Sequence, residues 1–255
     1  MKRVPILLLF GVAATLTAGE QAAVYRVAGA DARLFDQYDN DGYSLEVSPG
    51  PDGSIELRVR VSDSPLSSRA PFPTPERGRP ALVSAPDRDA FARRLAAGSR
   101  TEVDAVRRIL LGLVSRVVYD PDRLRRQDPA AVFVSGRAYC VGFAELAVDL
   151  LGRIGISART VQGVLRTERG ADGYDPKIRG VFHRWIEVYY SDRGYVFSDP
   201  SASINGVDAR YVAFSARALV RPRALTMAPI RITGDLDYGT VRAGDLALRA
   251  RLTSP

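Results

Sequence analysis

The sequence predicts a mixed helix-and-strand fold, with strands ahead of and behind a central helical region. Three observations carry this. Apolar residues alternate from Ser54 to Ser62, apolar stripes recur at helical spacing between Val103 and Leu151, and two strand-like runs flank a hairpin loop between Val181 and Ser198. The chain has 255 residues, 46% hydrophobic and 25% charged, the balance of a globular protein able to bury a core.

The first residues read as a secretory signal. Lys2 and Arg3 precede an apolar run from Val4 to Ala14, and the small residues Thr17, Ala18 and Gly19 follow where cleavage falls. A retained N-terminal anchor is the alternative, but the run is short for a bilayer span. Residues 1–18 are therefore assigned to the signal, which places the protein in the periplasm or outside the cell, with no integral membrane domain after removal.

Residues 19–64 form an N-terminal β segment. In its clearest strand Ile55, Leu57, Val59 and Val61 face one way and Glu56, Arg58 and Arg60 the other. Asp41-Gly42 signals a tight turn. Residues 65–86 follow as a proline-rich connection, in which Pro65, Pro71, Pro73, Pro75, Pro80 and Pro86 exclude regular helix or central strand. The main domain is placed at 87–255.

That domain opens with helical pattern from Asp87. Thr101 and Asp104 resemble a capping box, and Val103, Val106, Ile109, Leu110, Leu113, Val114 and Val117 form one stripe. A second helix starts at Cys140, with Phe143, Ala144, Ala147, Leu150 and Leu151 on its buried side. Strands are expected at Ile156–Leu165, Val181–Tyr190 and Tyr195–Ser198, the last two joined by Ser191 to Gly194. Arg169–Gly180 reads as a long exposed loop, and Leu246, Leu248, Ala250 and Leu252 alternate as a late strand.

Charge and composition narrow the function classes. The net charge of +7, lowered by two if Lys2 and Arg3 are removed, suits an anionic surface such as the cell envelope. The basic residues are scattered and nearly all Arg, with no block interleaved with aromatics, so nucleic acid is not an expected partner. One Cys and one His supply neither an internal disulfide nor a four-ligand zinc site. Asp36, Asp39, Asp41 and Gly42 fail as a calcium loop, because Gln37 and Ser48 stand where acidic ligands are needed; a hairpin turn accounts for them better.

The lone Cys is buried and inert, paired between chains, or chemically used. Its position favours use: a thiolate at a helix N-terminus is stabilised by the helix dipole and free N–H groups, and those N–H groups can receive an oxyanion. His183 shares a strand face with Trp185, Glu187 and Tyr189. If the hairpin closes over Ser191 to Gly194, residue 185 lies beside 199, and His183 and Asp199 become diagonal neighbours. Taken singly, such a Cys or His is commonly structural. Together, Cys140, His183 and Asp199 have the order and placement of nucleophile, base and orienting carboxylate.

Three blocks extend the argument. Ser135 to Ala144, continuing through Leu150-Leu151-Gly152-Arg153-Ile154-Gly155-Ile156-Ser157-Ala158-Arg159 to Val161 and Gly163, resembles the nucleophile block of the transglutaminase-like superfamily. His183-Arg184-Trp185-Ile186-Glu187-Val188-Tyr189 resembles its His-x-Trp-x-Glu-Val block, and Tyr195 to Ser201 its Asp-Pro block. The resemblance covers about Val103 to Ile204. It implies an α+β fold with a papain-like core, the Cys-bearing helix packed on an antiparallel sheet, catalysis by Cys140, His183 and Asp199, and no metal or organic cofactor. Some members carry an aromatic oxyanion donor, often Trp, upstream of the nucleophile. The only Trp here is Trp185, expected as a wall of the site or core; Tyr139 is a packing residue or a donor. Both are candidate substrate-binding residues, and Glu187 is expected to face solvent or a basic partner.

The expected activity is acyl transfer from an amide of a peptide or protein through a thioester. Water as acceptor makes a peptidase or amidase of the cell envelope, the favoured outcome; a Lys amine makes a crosslinking transglutaminase. A non-catalytic binding or scaffold module that keeps the fold is the alternative of a different class.

Overall fold

The computed structural model describes residues 19–62, 66–73, 84–166, 180–216 and 226–233. The predicted signal, half of the proline-rich connection, the loop from Arg169 up to Gly180 and the late strand at 246–252 lie outside the described residues.

Strand β1 (Glu20–Ala28) opens the described chain, and β2 (Tyr38–Asn40), β3 (Tyr43–Pro49) and β4 (Ile55–Ser62) follow. Asp41-Gly42 makes the β2–β3 turn, bracketed by the pair Asn40–Tyr43, and Gly42 adopts φ +84°, where a Cβ is disfavoured. In β4 the alternation is observed as predicted: Ile55, Leu57, Val59 and Val61 are buried and their neighbours are not.

Helices α1 (Pro86–Ala96) and α2 (Glu102–Arg116) come next. Thr101 caps α2 by accepting the Asp104 N–H at 3.2 Å. Strand β5 (Val118–Tyr119), helix α3 (Pro129–Ser135) and strand β6 (Arg137–Ala138) lead into α4 (Cys140–Arg153). Strands β7 (Ala158–Arg166), β8 (Gly180–Tyr190), β9 (Gly194–Ser198), β10 (Tyr211–Ala213) and β11 (Thr226–Thr233) complete the order.

The fold is α+β, with two antiparallel sheets and a short parallel pair, β5–β6. The central four-stranded sheet has order β10-β7-β8-β9. One face carries the helices: Ile186, Val188 and Tyr190 of β8 share a buried cluster with Val106, Ile109 and Leu113 of α2 and Phe143, Leu146 and Leu150 of α4. The other face carries the five-stranded sheet β11-β1-β4-β3-β2, whose Tyr25, Tyr43, Leu45 and Leu57 cluster with Trp185, Phe197 and Tyr211. Three tyrosine hydroxyls peg the two sheets together, reaching Ala209 O from Tyr25, Tyr211 O from Tyr43 and Glu187 Oε2 from Tyr38 at 2.6–2.9 Å. Each buried hydroxyl therefore finds a partner, as burial requires.

Burial is not wholly apolar. Arg153 at the end of α4 is buried, and its guanidinium meets Asp149 one turn back and Asp89 of α1, each at 2.7 Å. The buried guanidinium thus joins the end of α4 to α1. Among the described residues no helix is long and apolar enough to cross a membrane.

Candidate active site

Cys140 is the first residue of α4, as the sequence predicts, and it is buried. Tyr139 precedes it with extended backbone, half-buried, its N–H donating to Gln127 Oε1 at 3.2 Å. The apolar stripe of α4 holds the helix on β7 and β8 and so sets the thiol at the sheet.

The β8–β9 register is the one expected. Ile186 pairs with Ser198, which puts position 199 opposite 185 and one diagonal step from His183. His183 Nε2 faces Asp199 Oδ2 at 2.5 Å. Cys140 and His183 lie close enough to act on each other's titration, His183 lowering the thiol pKa and Cys140 helping to raise that of the imidazole. The structure thus brings the three residues to one place, with a direct polar contact between His183 and Asp199.

Asp199 is fully buried and satisfied on both oxygens. Oδ1 accepts the Ser201 N–H at 2.9 Å and the Ser201 hydroxyl at 2.7 Å; Oδ2 accepts the Tyr211 hydroxyl at 2.8 Å besides meeting His183. Two backbone bonds to Ser203 close the turn that carries it. Burial pushes the carboxyl pKa up, but the imidazole beside it and these donors outweigh burial and hold it below the usual range. Burial likewise pushes the His183 pKa down, and the charge and hydrogen bond of Asp199, aided by Cys140, raise it instead. For Cys140, burial opposes the thiolate, while His183 and the Arg184 backbone N–H favour it and prevail, so the thiol pKa is lowered. His183 thus stands between a thiol whose pKa is lowered and a buried carboxylate whose pKa is also lowered.

Trp185, expected as a wall of the site or core, lies in the core. It is 0% exposed, stacked on the His183 ring at 6.2 Å and set edge-on to Phe197 and Tyr211. Gly163, paired with His183 across β7 and β8, makes room for it: a Cβ there would stand 2.5 Å from the indole ring. Glu187 does not face solvent; it is buried, and the second expectation holds, since it pairs with Arg159 and accepts the Tyr38 hydroxyl.

Two residues at the site carried no local sequence signal. Tyr211 arrives on β10, paired with β7. Tyr119 arrives on β5, which pairs in parallel with β6 so that Tyr119 lies beside Ala138, two residues before the nucleophile. Its ring stacks on Phe143, one turn into α4, at 6.2 Å. Burial and the negative charges of Cys140 and Asp199 push the phenol up to about 12, so it is protonated at neutral pH.

Residues 89–200 match the model of the family described as the transglutaminase-like superfamily. Among solved structures, a "Putative Cysteine Protease" from Cytophaga hutchinsonii aligns with a TM-score of 0.44 and 14% identity, covering 84% of this chain and 87% of its own. The periplasmic domain of TgpA from Pseudomonas aeruginosa, bound to ethylmercury, aligns with a TM-score of 0.39 and 17% identity over 71% of this chain and 74% of its own. No curated protein sequence matches the chain.

Proposed function

With residues 89–200 placed in the transglutaminase-like superfamily, we propose that the protein is a thiol-dependent acyl-transfer enzyme that cleaves an amide of a peptide or protein in the cell envelope. Cys140 is the nucleophile, His183 its proton partner, and Asp199 the group that orients and stabilises the imidazolium. What supports this reading is the placement of Cys140 at the start of α4 close to His183, whose ring meets the buried Asp199 carboxylate at 2.5 Å.

In the resting site the thiol proton resides on His183. The thiolate attacks the substrate carbonyl carbon, and negative charge develops on its oxygen. The Cys140 N–H at the start of α4 is the donor proposed to receive that charge, with the Tyr119 hydroxyl, on the strand beside Ala138, as a second. The imidazolium gives its proton to the leaving amine as the C–N bond breaks, leaving a thioester on Cys140. Neutral His183 then takes a proton from water, which attacks the thioester and releases the acid and the thiol. Placement outside the cytoplasm rests on the basic and apolar pattern of residues 1–18.

Iodoacetamide labelling at neutral pH tests the reading. Wild-type Cys140 should react quickly and the His183→Ala variant at least about tenfold more slowly, since the imidazolium is what favours the thiolate. Equal, slow labelling of both proteins would reject it.

A further inference from the structure

Helix α4 begins at Tyr139, whose side chain makes no capping bond. The Tyr139 backbone is held from two sides instead. Its carbonyl oxygen accepts the Phe143 N–H at 3.1 Å, the first bond of the helix. Its N–H donates at 3.2 Å to Gln127 Oε1, a side chain arriving from the segment ahead of α3.

The Gln127 carboxamide is itself anchored. Its Nε2 donates to Arg125 O at 3.1 Å, so the nitrogen meets a carbonyl and the oxygen meets an N–H, the consistent orientation of the amide. Gly142, in the first turn of α4, leaves room for it: a Cβ there would stand 2.4 Å from Gln127 Oε1 and 2.8 Å from the Ala138 and Val132 side chains. The carboxamide is thus seated against the turn that carries Cys140.

These contacts fix a peptide plane. The Tyr139–Cys140 bond is trans, so the Cys140 N–H points opposite to Tyr139 O. With that oxygen turned into the helix, the N–H is turned out of its first turn, where no helical carbonyl can take it. The bond to Gln127 restrains the Tyr139 backbone from the preceding side, and with it the direction of the Cys140 N–H.

We propose that Gln127 is a positioning residue for the reaction: acting through the Tyr139 backbone, it aims the Cys140 N–H at the oxyanion of the substrate. Gln127 is not itself the oxyanion donor, because its Nε2 is engaged by Arg125 O. The proposal rests on the reading of Cys140 as the nucleophile that is acylated, and the test separates the two.

Acylation of Cys140 by p-nitrophenyl acetate passes through an oxyanion, whereas alkylation by iodoacetamide does not. Gln127→Met keeps the length of the side chain and removes its polar atoms. It should slow acylation about tenfold, a part of the loss that follows outright removal of an oxyanion donor, and leave the rate and pH profile of alkylation unchanged. Hydrogen exchange gives a second reading. The Tyr139 N–H should be protected in the wild type and lose that protection in Gln127→Met, while the Phe143 N–H keeps its own. Unchanged acylation in Gln127→Met, equal slowing of both reactions, or an unprotected Tyr139 N–H in the wild type overturns the proposal. A lower urea midpoint with both rates unchanged would make Gln127 structural only and overturn it as well. If p-nitrophenyl acetate does not acylate wild-type Cys140 although the Tyr139 N–H is protected, the nucleophile reading itself fails and takes the proposal with it.

Discussion

Tyr211 donates its hydroxyl to Asp199 Oδ2 at 2.8 Å, the same oxygen that meets the His183 ring. The carboxylate has no access to water, and the tyrosine on β10 replaces part of the hydration it gives up. Without such donors a buried carboxyl would take up a proton and cease to stabilise the imidazolium. Tyr211 is thus a positioning residue, acting on the chemistry through Asp199.

Tyr211→Phe keeps the ring and removes that donor. The expected loss is about 1.5–3 kcal/mol of folding stability, the range for a hydrogen bond to a charged group. Asp199 titrates below its unfolded value in the native state, so its contribution is full above about pH 4 and is lost as pH falls through the folded value. Urea unfolding from pH 7 downward should therefore show a deficit at neutral pH that shrinks in acid. A deficit independent of pH would show that Tyr211 acts through packing alone.

The pH profile of Cys140 alkylation follows from opposed effects. Burial raises the thiol pKa, and His183 with the Arg184 N–H lowers it further than burial lifts it. Wild-type alkylation should reach its plateau below the ordinary thiol range near about 8.5. In His183→Ala the largest lowering influence is gone while burial and the Asp199 charge remain against the Arg184 N–H, so the inflection should move upward. An inflection common to both proteins would exclude the ion pair.

Tyr119→Phe separates oxyanion binding from thiol reactivity. Acylation of Cys140 by p-nitrophenyl acetate passes through a tetrahedral oxyanion, and loss of one donor should slow it about 10²-fold. Alkylation by iodoacetamide forms no oxyanion and should change little. The stacking on Phe143 is retained in the variant. Equal slowing of both reactions would point to a disturbed thiol rather than a lost donor.

How far the sequence reveals this site depends on which signals are local. Cys140 is legible because the stripe of α4 begins at it, and Asp199 because the hairpin turn after Tyr190, closed by the pair Tyr190–Gly194, sets 185 opposite 199. Tyr119 and Tyr211 reach the site through β5–β6 and β10–β7 pairings of two and three residues, too short for a period to show. Helix α3 is only seven residues long, although Asp128 at its N-cap and Gly136 at its end, with φ +65°, are readable marks. Strand β11 is masked by Pro229, which is tolerated because β11 is an edge strand and the pairing shifts register between Val24 and Tyr25. Glu187 breaks the rule that strand carboxylates face water because Tyr38, from the other sheet, and Arg159 meet it.

Gly163→Ala tests the support beneath His183. A Cβ would stand 2.1 Å from Val212 O and 2.5 Å from the Trp185 ring, and backbone cannot yield cheaply. Overpacking of this kind costs about 1–3 kcal/mol, to be read as a lower urea midpoint with unchanged slope. An unaffected midpoint would mean that β7 and β10 are more loosely joined than their register implies.

The central claim is that Cys140 carries the acyl group. Acid-quenched mass spectrometry after brief exposure to p-nitrophenyl acetate below pH 7 tests it most directly. The account predicts one acetyl group, mapped to Cys140, formed in the wild type and strongly reduced in His183→Ala. Absence of a Cys140 acetyl adduct in the wild type, or equal acetylation of the two proteins, would contradict it.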